Sequence, residues 1–291
     1  MPAMRVKKSR KNSALTIRDG PSQTKFLAEH HPGTRQDGRE AVAMAKNYTH
    51  GEVIARHFHR RGQLIYAYSG LMTVTTGSGA WIVPPQRALW MPPGIAHEIK
   101  VSGDLKMRTL YFEPNTPSEL AFPRSCAVIE MTILMRELVL RAVELETGGY
   151  DHDRQLQNLL RVLVDEARKP PALSFHLPMP HDPRLTKICR ALLANPAANL
   201  TLPMWGRRVG GSSRTLARHF LAETGVTFAQ WRQKARLLAS LPKLARGEPV
   251  SSVALDLGYE SPSAFSAMFR KTLGAPPSSF IFGNERAISI I

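Results

Sequence analysis

The chain has 291 residues, enough for two domains of ordinary size that each bury their own core. Its 39 Lys and Arg against 23 Asp and Glu give a net charge of +16, which favours a polyanionic partner, either nucleic acid or an anionic membrane surface. Only two cysteines, Cys126 and Cys189, are present and no CxxC, which argues against a disulfide framework or a thiolate zinc site and for a cytoplasmic protein.

Residues 1–18 carry Arg5, Lys7, Lys8, Arg10, Lys11 and Arg18 with no acid. The stretch mimics an organelle transit peptide but lacks the apolar core of a secretory signal, and residues 1–40 read as a flexible basic arm. From 41 to 122 the pattern is short apolar alternation punctuated by Gly and Pro, as in EVIARHFH, QLIYAYSG, LMTVTTGSGAWIVPP, RALWMPPG and KMRTLYFEP. That is strand-turn-strand spacing, with 77–79 as a hairpin tip, and predicts an all-β sandwich or barrel.

His57 and His59 stand two apart, on one face of a strand, and His97 follows later. The spacing Gly51-x5-His57-x-His59-x3-Gln63-x6-Gly70 resembles the first cupin motif, with Gln63 where a glutamate usually stands. Pro92-x-Gly94-x2-His97 resembles the core of the second, with Gln86 and Val101 in place of its leading glycine and trailing asparagine. Three imidazoles and one carboxamide oxygen form a donor set for a divalent transition metal such as Zn, Ni, Fe or Mn, weakened by the missing carboxylate. The alternatives are histidines hydrogen-bonded inside the barrel, or contacts to an organic effector.

Beyond Pro123 the period turns helical. Val128, Met131, Leu134, Met135, Leu138 and Val139 fall on one face, and Leu156, Leu159, Leu160 and Leu163 on another, the two helices being split by Gly148 and Gly149. The run 129–145 is too polar to span a bilayer, because Arg136, Glu137, Arg141 and Glu144 interrupt it. In 123–168 the stripes cover their own sheet, and in the favoured reading one also pairs with a second copy. Five prolines in 169–183 make that segment a linker.

The remainder, 184–282, reads as all-α. LPMWGRRVGG supplies a short helix with Leu202, Trp205 and Val209 apolar and a Gly210-Gly211 turn. SSRTLARHFLAETG then gives a helix capped by Ser212 or Ser213 and ended by Gly225, with Leu216, Phe220 and Leu221 toward the core and Arg214 and Arg218 together on another side. Helix, glycine turn and second helix with exposed arginines is the helix-turn-helix plan. The logic repeats in VSSVALDLGYESPSAFSAMFRKTL, with Val253, Ala254 and Leu257, a turn at Gly258, a Ser261 cap before Pro262, and Phe265, Met268 and Phe269 inward. Residues 228–246 between them predict one helix about 28 Å long, close to the roughly 34 Å between successive major-groove faces, with Pro242 inside it.

Gly210, Ser212, Arg214, Leu216, Arg218, Phe220 and Gly225, then Val253, Ala254, Gly258, Tyr259, Ser261, Ser263, Phe265, Phe269, Lys271, Gly274, Pro277 and Phe280, resemble the DNA-binding domain of the AraC/XylS transcription regulator family over roughly a third of the chain. The resemblance implies a multidomain α+β protein, with an amino-terminal cupin sensor barrel, flanking helices and a carboxyl-terminal tandem helix-turn-helix domain. It implies that Ser213, Arg214, Thr215 and Arg218, then Ser263, Ala264, Ser266 and Ala267, face double-stranded DNA. Ser212 and Ser261 stand at the two helix starts, and Arg270 and Lys271 are phosphate clamps. Ala267 departs from the longer polar residues common there. The implied function is effector-responsive transcription regulation, with a small-molecule effector, a homodimer and RNA polymerase as partners. The alternatives are a metal-dependent cupin enzyme carrying a DNA-binding tail, and a nonspecific architectural DNA binder.

Overall fold

The computed structural model describes residues 38–85, 87–147, 153–167 and 175–280. The basic arm up to residue 37 and the Gly148-Gly149 break lie outside the described residues.

Eight strands form one continuous sheet: β1 (Ala41–Tyr48), β2 (Val53–His57), β3 (Gly62–Thr76), β4 (Gly79–Val83), β5 (Arg87–Met91), β6 (His97–Phe112), β7 (Ala127–Glu130) and β8 (His176–Pro178). Two strands, β3 and β6, are long enough to serve two layers. The first half of β3 pairs with β5 and the second half of β6; its second half pairs with β4 and the first half of β6. β1 and β2 extend β6 at its two ends, β7 extends β5, and β8 extends β4. The register of β3 shifts between Ala67 and Leu71, where the sheet bends. Glycine is required at that bend: Gly70 has φ 76°, and a Cβ there would lie 2.5 Å from the carbonyl oxygen of Asp104.

Strand parity separates two faces. Gln63, Ile65, Leu89, Met91, Ile99, Met107 and Tyr111 point inward between the layers, whereas Leu64, Tyr66, Ala88, Trp90, Leu110 and Phe112 point outward under helices. After the short α1 (Pro117–Leu120) and β7, helices α2 (Ile133–Thr147) and α3 (Asp153–Ala167) cover this outer face with Met135, Val139, Leu156, Leu160 and Leu163. The helical reading from Val128 is corrected here. Residues 127–130 are a strand because they find an open edge on β5, and the helix starts five residues later. The stripe is largely spent on the protein's own sheet, although Ile133, Leu134 and Val162 stay exposed.

The proline-rich linker is also corrected in part. Proline stops a helix but not an edge strand, and 176–178 pair with β4. The carboxyl-terminal domain follows as α4 (Pro183–Ala194), α5 (Leu202–Val209), α6 (Ser213–Thr224), α7 (Phe228–Ala245), α8 (Val250–Asp256) and α9 (Pro262–Leu273), with a 3-10 turn at Pro277–Phe280. Helix α7 runs through Pro242 and ends at Ala245. No helix of the described residues is long and apolar enough to cross a membrane.

Candidate nucleic-acid interface and histidine cluster

The first helix pair is set by its turn. Gly210 ends α5 with φ 76°, Gly211 follows at φ 143°, and Ser212 Oγ caps α6 by accepting the Thr215 N–H at 3.1 Å. Leu216 and Phe220 are fully buried, Phe220 edge-on to Trp231. Leu221 does not join them; it is 50% exposed, because one residue turns a helix by about 100° and carries it off the buried stripe. Arg214 and Arg218 are exposed side by side, with Ser213 and Thr215 half-buried at their flank.

The second pair repeats this. Ser261 Oγ accepts the Ala264 N–H at 3.2 Å, Pro262 opens α9, and Phe265, Met268 and Phe269 are buried while Gly274 closes the helix in the left-handed conformation. Pro262, Ser263, Ser266, Ala267, Arg270 and Lys271 line one cleft of about 700 Å³ on the outer side of α9. Ser212 and Ser261 therefore act first as helix caps, each with its hydroxyl oxygen spent on the backbone. Arg270 and Lys271 lie in the last turn of α9, the negative end of its dipole.

One organiser was not singled out from the sequence. Arg236 of α7 is 9% exposed, donates from Nε to the Pro196 carbonyl at 2.8 Å and from Nη2 to Asn199 Oδ1 at 2.9 Å, and lies over the Tyr259 ring. It ties the loop before α5 to the turn of the second pair. An arginine inside an apolar helical stripe was its only trace.

In the barrel, His57, His59 and His97 converge: one ring nitrogen from each lies within 4.8 Å of the others, and the His57 and His97 ring centroids are 4.2 Å apart. His57 closes β2, but His59 lies past its end, so the convergence comes from the turn leaving the strand and not from a shared strand face. His57 Nδ1 donates to the Ala55 carbonyl at 2.7 Å and His97 Nδ1 to that of Ile95 at 2.9 Å. A carbonyl only accepts, so Nδ1 carries the proton and Nε2 presents the lone pair, the form a metal takes. Burial pushes the His57 imidazole below its usual range, opposed by the bond to Ala55, and favours the neutral ring.

Gln63 has its amide nitrogen engaged and its amide oxygen left over. Its Nε2 donates to Tyr111 Oη at 2.9 Å and Thr109 Oγ1 at 3.3 Å, and its Oε1 is buried without a hydrogen-bond partner. Tyr111, with its ring edge-on to His59 at 5.1 Å, links that carboxamide to the cluster. The three imidazoles alone fit a divalent transition metal, as a neutral set with coordination positions left over. Glu52 is exposed and bonded to Thr49, and Glu98 pairs with Lys100, so neither carboxylate enters the cluster.

Residues 205–281 match the family model of a helix-turn-helix domain, and residues 41–195 that of an AraC-like ligand binding domain. The HTH-type transcriptional regulator NimR of Escherichia coli (strain K12) is 36% identical over 225 residues, 77% of this chain and 81% of that protein. The HTH-type transcriptional regulator RipA of Corynebacterium glutamicum is 33% identical over 126 residues, 43% of this chain and 36% of its own length. The arabinose operon regulatory protein of E. coli is 28% identical over 138 residues, 45% of each chain.

Proposed function

The chain belongs to the AraC family of helix-turn-helix transcription regulators, and on that premise we propose that it reads promoter DNA sequence-specifically through α6 and α9 and adjusts that reading to an effector bound in the β-barrel. The observation that carries the reading is the exposed pair Arg214 and Arg218 on a helix whose opposite face is locked into the core by Leu216 and Phe220. A guanidinium held on a rigid helix can clasp a guanine edge or a phosphate. Ser213 and Thr215 supply neighbouring contacts. On α9, Ser263 and Ser266 offer hydroxyls, Ala264 and Ala267 small apolar contacts suited to thymine methyls, and Arg270 and Lys271 charge for the backbone.

In the barrel the proposed effector site is the histidine cluster with Tyr111 and Gln63 beside it. When bound there, a divalent metal supplies a positive centre able to hold an anionic or oxygen-bearing small molecule. His57 and His97 would hold it through Nε2, their rings fixed by Ala55 and Ile95, and His59 would complete the set. A homodimer and contact with RNA polymerase belong to the same proposal; Ile133, Leu134 and Val162 are exposed apolar side chains that a second copy would cover.

The test is titration of the full-length chain against a duplex it selects from random sequence and against a scrambled duplex. A preference of about a thousandfold or more at physiological salt is expected. Equal binding to both duplexes makes it an architectural binder, and no binding overturns the reading. A metal-dependent enzyme is the second reading, favoured by the convergence of the three imidazoles alone. Turnover in an oxygen-consumption screen of iron-loaded protein would establish it.

A further inference from the structure

Residues 176–182 are tied at both ends. Toward the barrel, β8 pairs with β4, Pro178 opposite Gly79 and His176 opposite Trp81, with the His176 and Trp81 rings stacked at 4.4 Å. The Met179 N–H donates to the Ser78 carbonyl at 3.2 Å. Toward the helical domain, the Pro178 carbonyl accepts from Trp231 Nε1 of α7 at 2.7 Å. The backbone N–H groups of His181 and Asp182 then donate to the same carboxylate oxygen, Glu223 Oε2, in the last turn of α6, at 2.6 and 2.9 Å.

Glu223 follows Arg214 by nine residues, which at about 100° per residue puts it on the opposite side of α6. The helix is thus held by its back while its arginines face out. Asp182, His219 and Glu223 also have the spacing of a metal cluster. Three of their oxygens serve as ties: Asp182 binds the Arg184 guanidinium at 2.6 Å through Oδ2 and its backbone N–H through Oδ1, and Glu223 Oε2 holds two N–H groups.

The barrel end of this segment lies beside the histidines. His97 stands opposite Thr76 in the β3–β6 register, Thr76 Oγ1 accepts the Ser78 N–H at 3.2 Å, and Ser78 is the residue whose carbonyl holds Met179. Strand pairing, two hydrogen bonds and the chain itself therefore lead from His97 through the β3–β4 turn to residue 179 and on to α6.

We infer that residues 176–182 are a strap through which the histidine end of the barrel sets the orientation of the first reading helix, with Gly79 and Glu223 as the positioning residues at its two ends. A strand of three residues has few ladder bonds and is held chiefly by Leu177 in the core and by the ties at its two ends, so a ligand that distinguishes its attached and detached forms shifts their populations. The consequence for DNA rests on the proposed reading by α6; the strap itself does not.

Two variants of the full-length chain test it from opposite ends. In Gly79→Ala the new Cβ would stand 2.4 Å from the Leu177 carbonyl oxygen and 2.8 Å from His176 Nε2, at φ 154°, so β8 must shift away from β4 and its pairing is weakened. Glu223→Ala removes an exposed carboxylate and with it the tie to α6. Each variant should speed hydrogen exchange across 176–182 at least tenfold and change affinity for the selected duplex at least fivefold, in the same direction. The double variant should stay within twofold of the larger single effect, because both cut one path. Should Gly79→Ala fail to fold, His176→Ala, which removes the half-buried ring stacked on Trp81 and so loosens β8 from β4, takes its place. Unchanged exchange, or effects on affinity that multiply, would overturn the strap. Failure of the wild-type chain to bind any duplex defeats the DNA-reading proposal instead, and the exchange measurement still decides the strap.

Discussion

Gly206 and Gly211 approach so closely across the first helix turn that a Cβ on Gly206 would sit 2.4 Å from the Gly211 carbonyl oxygen. In a helix interior, Gly→Ala ordinarily stabilises by about 1 kcal/mol. Here the sign should reverse: Gly206→Ala should destabilise the protein by about 1–3 kcal/mol, the cost of overpacking, and weaken duplex binding by displacing α6 from α5. Denaturant unfolding checks it, and a gain in stability would mean that the turn is looser than described.

Arg214 and Arg218 are exposed, so Arg214→Ala and Arg218→Ala should leave the melting temperature unchanged. Affinity for the selected duplex should fall by about 1–3 kcal/mol for a residue reading a base, roughly fivefold to 150-fold, with specificity relaxed at that base. A residue neutralising a phosphate should instead lower the salt slope by about 0.9 and weaken all sequences alike. Fluorescence anisotropy over a salt series separates the two.

Saturation with Zn, Ni or Mn at about a hundred times the dissociation constant should stabilise the folded protein by about 2.7 kcal/mol. His97→Ala should erase that gain, since His97 is 1% exposed and lies within the cluster. Gln63→Ala should preserve most of it, because an amide oxygen is a weak neutral ligand beside three imidazoles. Thermal shift with elemental analysis reads both, and loss of metal in the Gln63 variant would make the carboxamide a ligand.

His176 is pushed down to about 4, first by burial between the domains and then by Lys234 on α7; its bond with the Ser78 backbone opposes the shift. Trp81 on β4 lies flat against it. Between about pH 6.5 and 4 the unfolded chain takes up a proton that the folded chain refuses, so this group's contribution makes stability fall as pH drops through that window and level off below it. The loss is about 2 kcal/mol after discounting for partial exposure. His176→Phe should keep the stack and flatten that part of the profile; an unchanged slope from pH 7 to 5 would show that other groups carry it.

The carboxyl-terminal half was legible because its rules are local. Ser212 and Ser261 cap the helices they begin, Gly225 and Gly274 close them in the left-handed conformation, and Leu216, Phe220, Phe265 and Phe269 fill the cores their spacing implies. Leu221 was misread because a stripe inferred from i, i+4 and i+5 is wider than the face the core has room for. The sensor was legible in its strands but not in their partners. Val128 falls in the apolar spacing of the helix that follows, although Val128 and Ile129 are strand formers and the helix cap is Thr132; the free edge of β5 pairs 127–130 as a strand. His57 and His59 were singled out from their spacing, but His59 reaches the cluster by a turn beyond β2 that alternation does not describe.

Taken by itself, the sequence determined the two domain types, the caps and turns of both helix pairs, and, Leu221 apart, which side chains of α6 and α9 are buried, because these depend on residues within a few positions of one another. Tertiary structure alone decided that three imidazoles converge while Gln63 turns to Tyr111, that Arg236 holds two loops, and that a proline-rich stretch becomes an edge strand tied to Glu223. Each of these joins groups tens of residues apart, and what fixes them is the pairing and burial available once the sheet has closed, which local spacing does not contain.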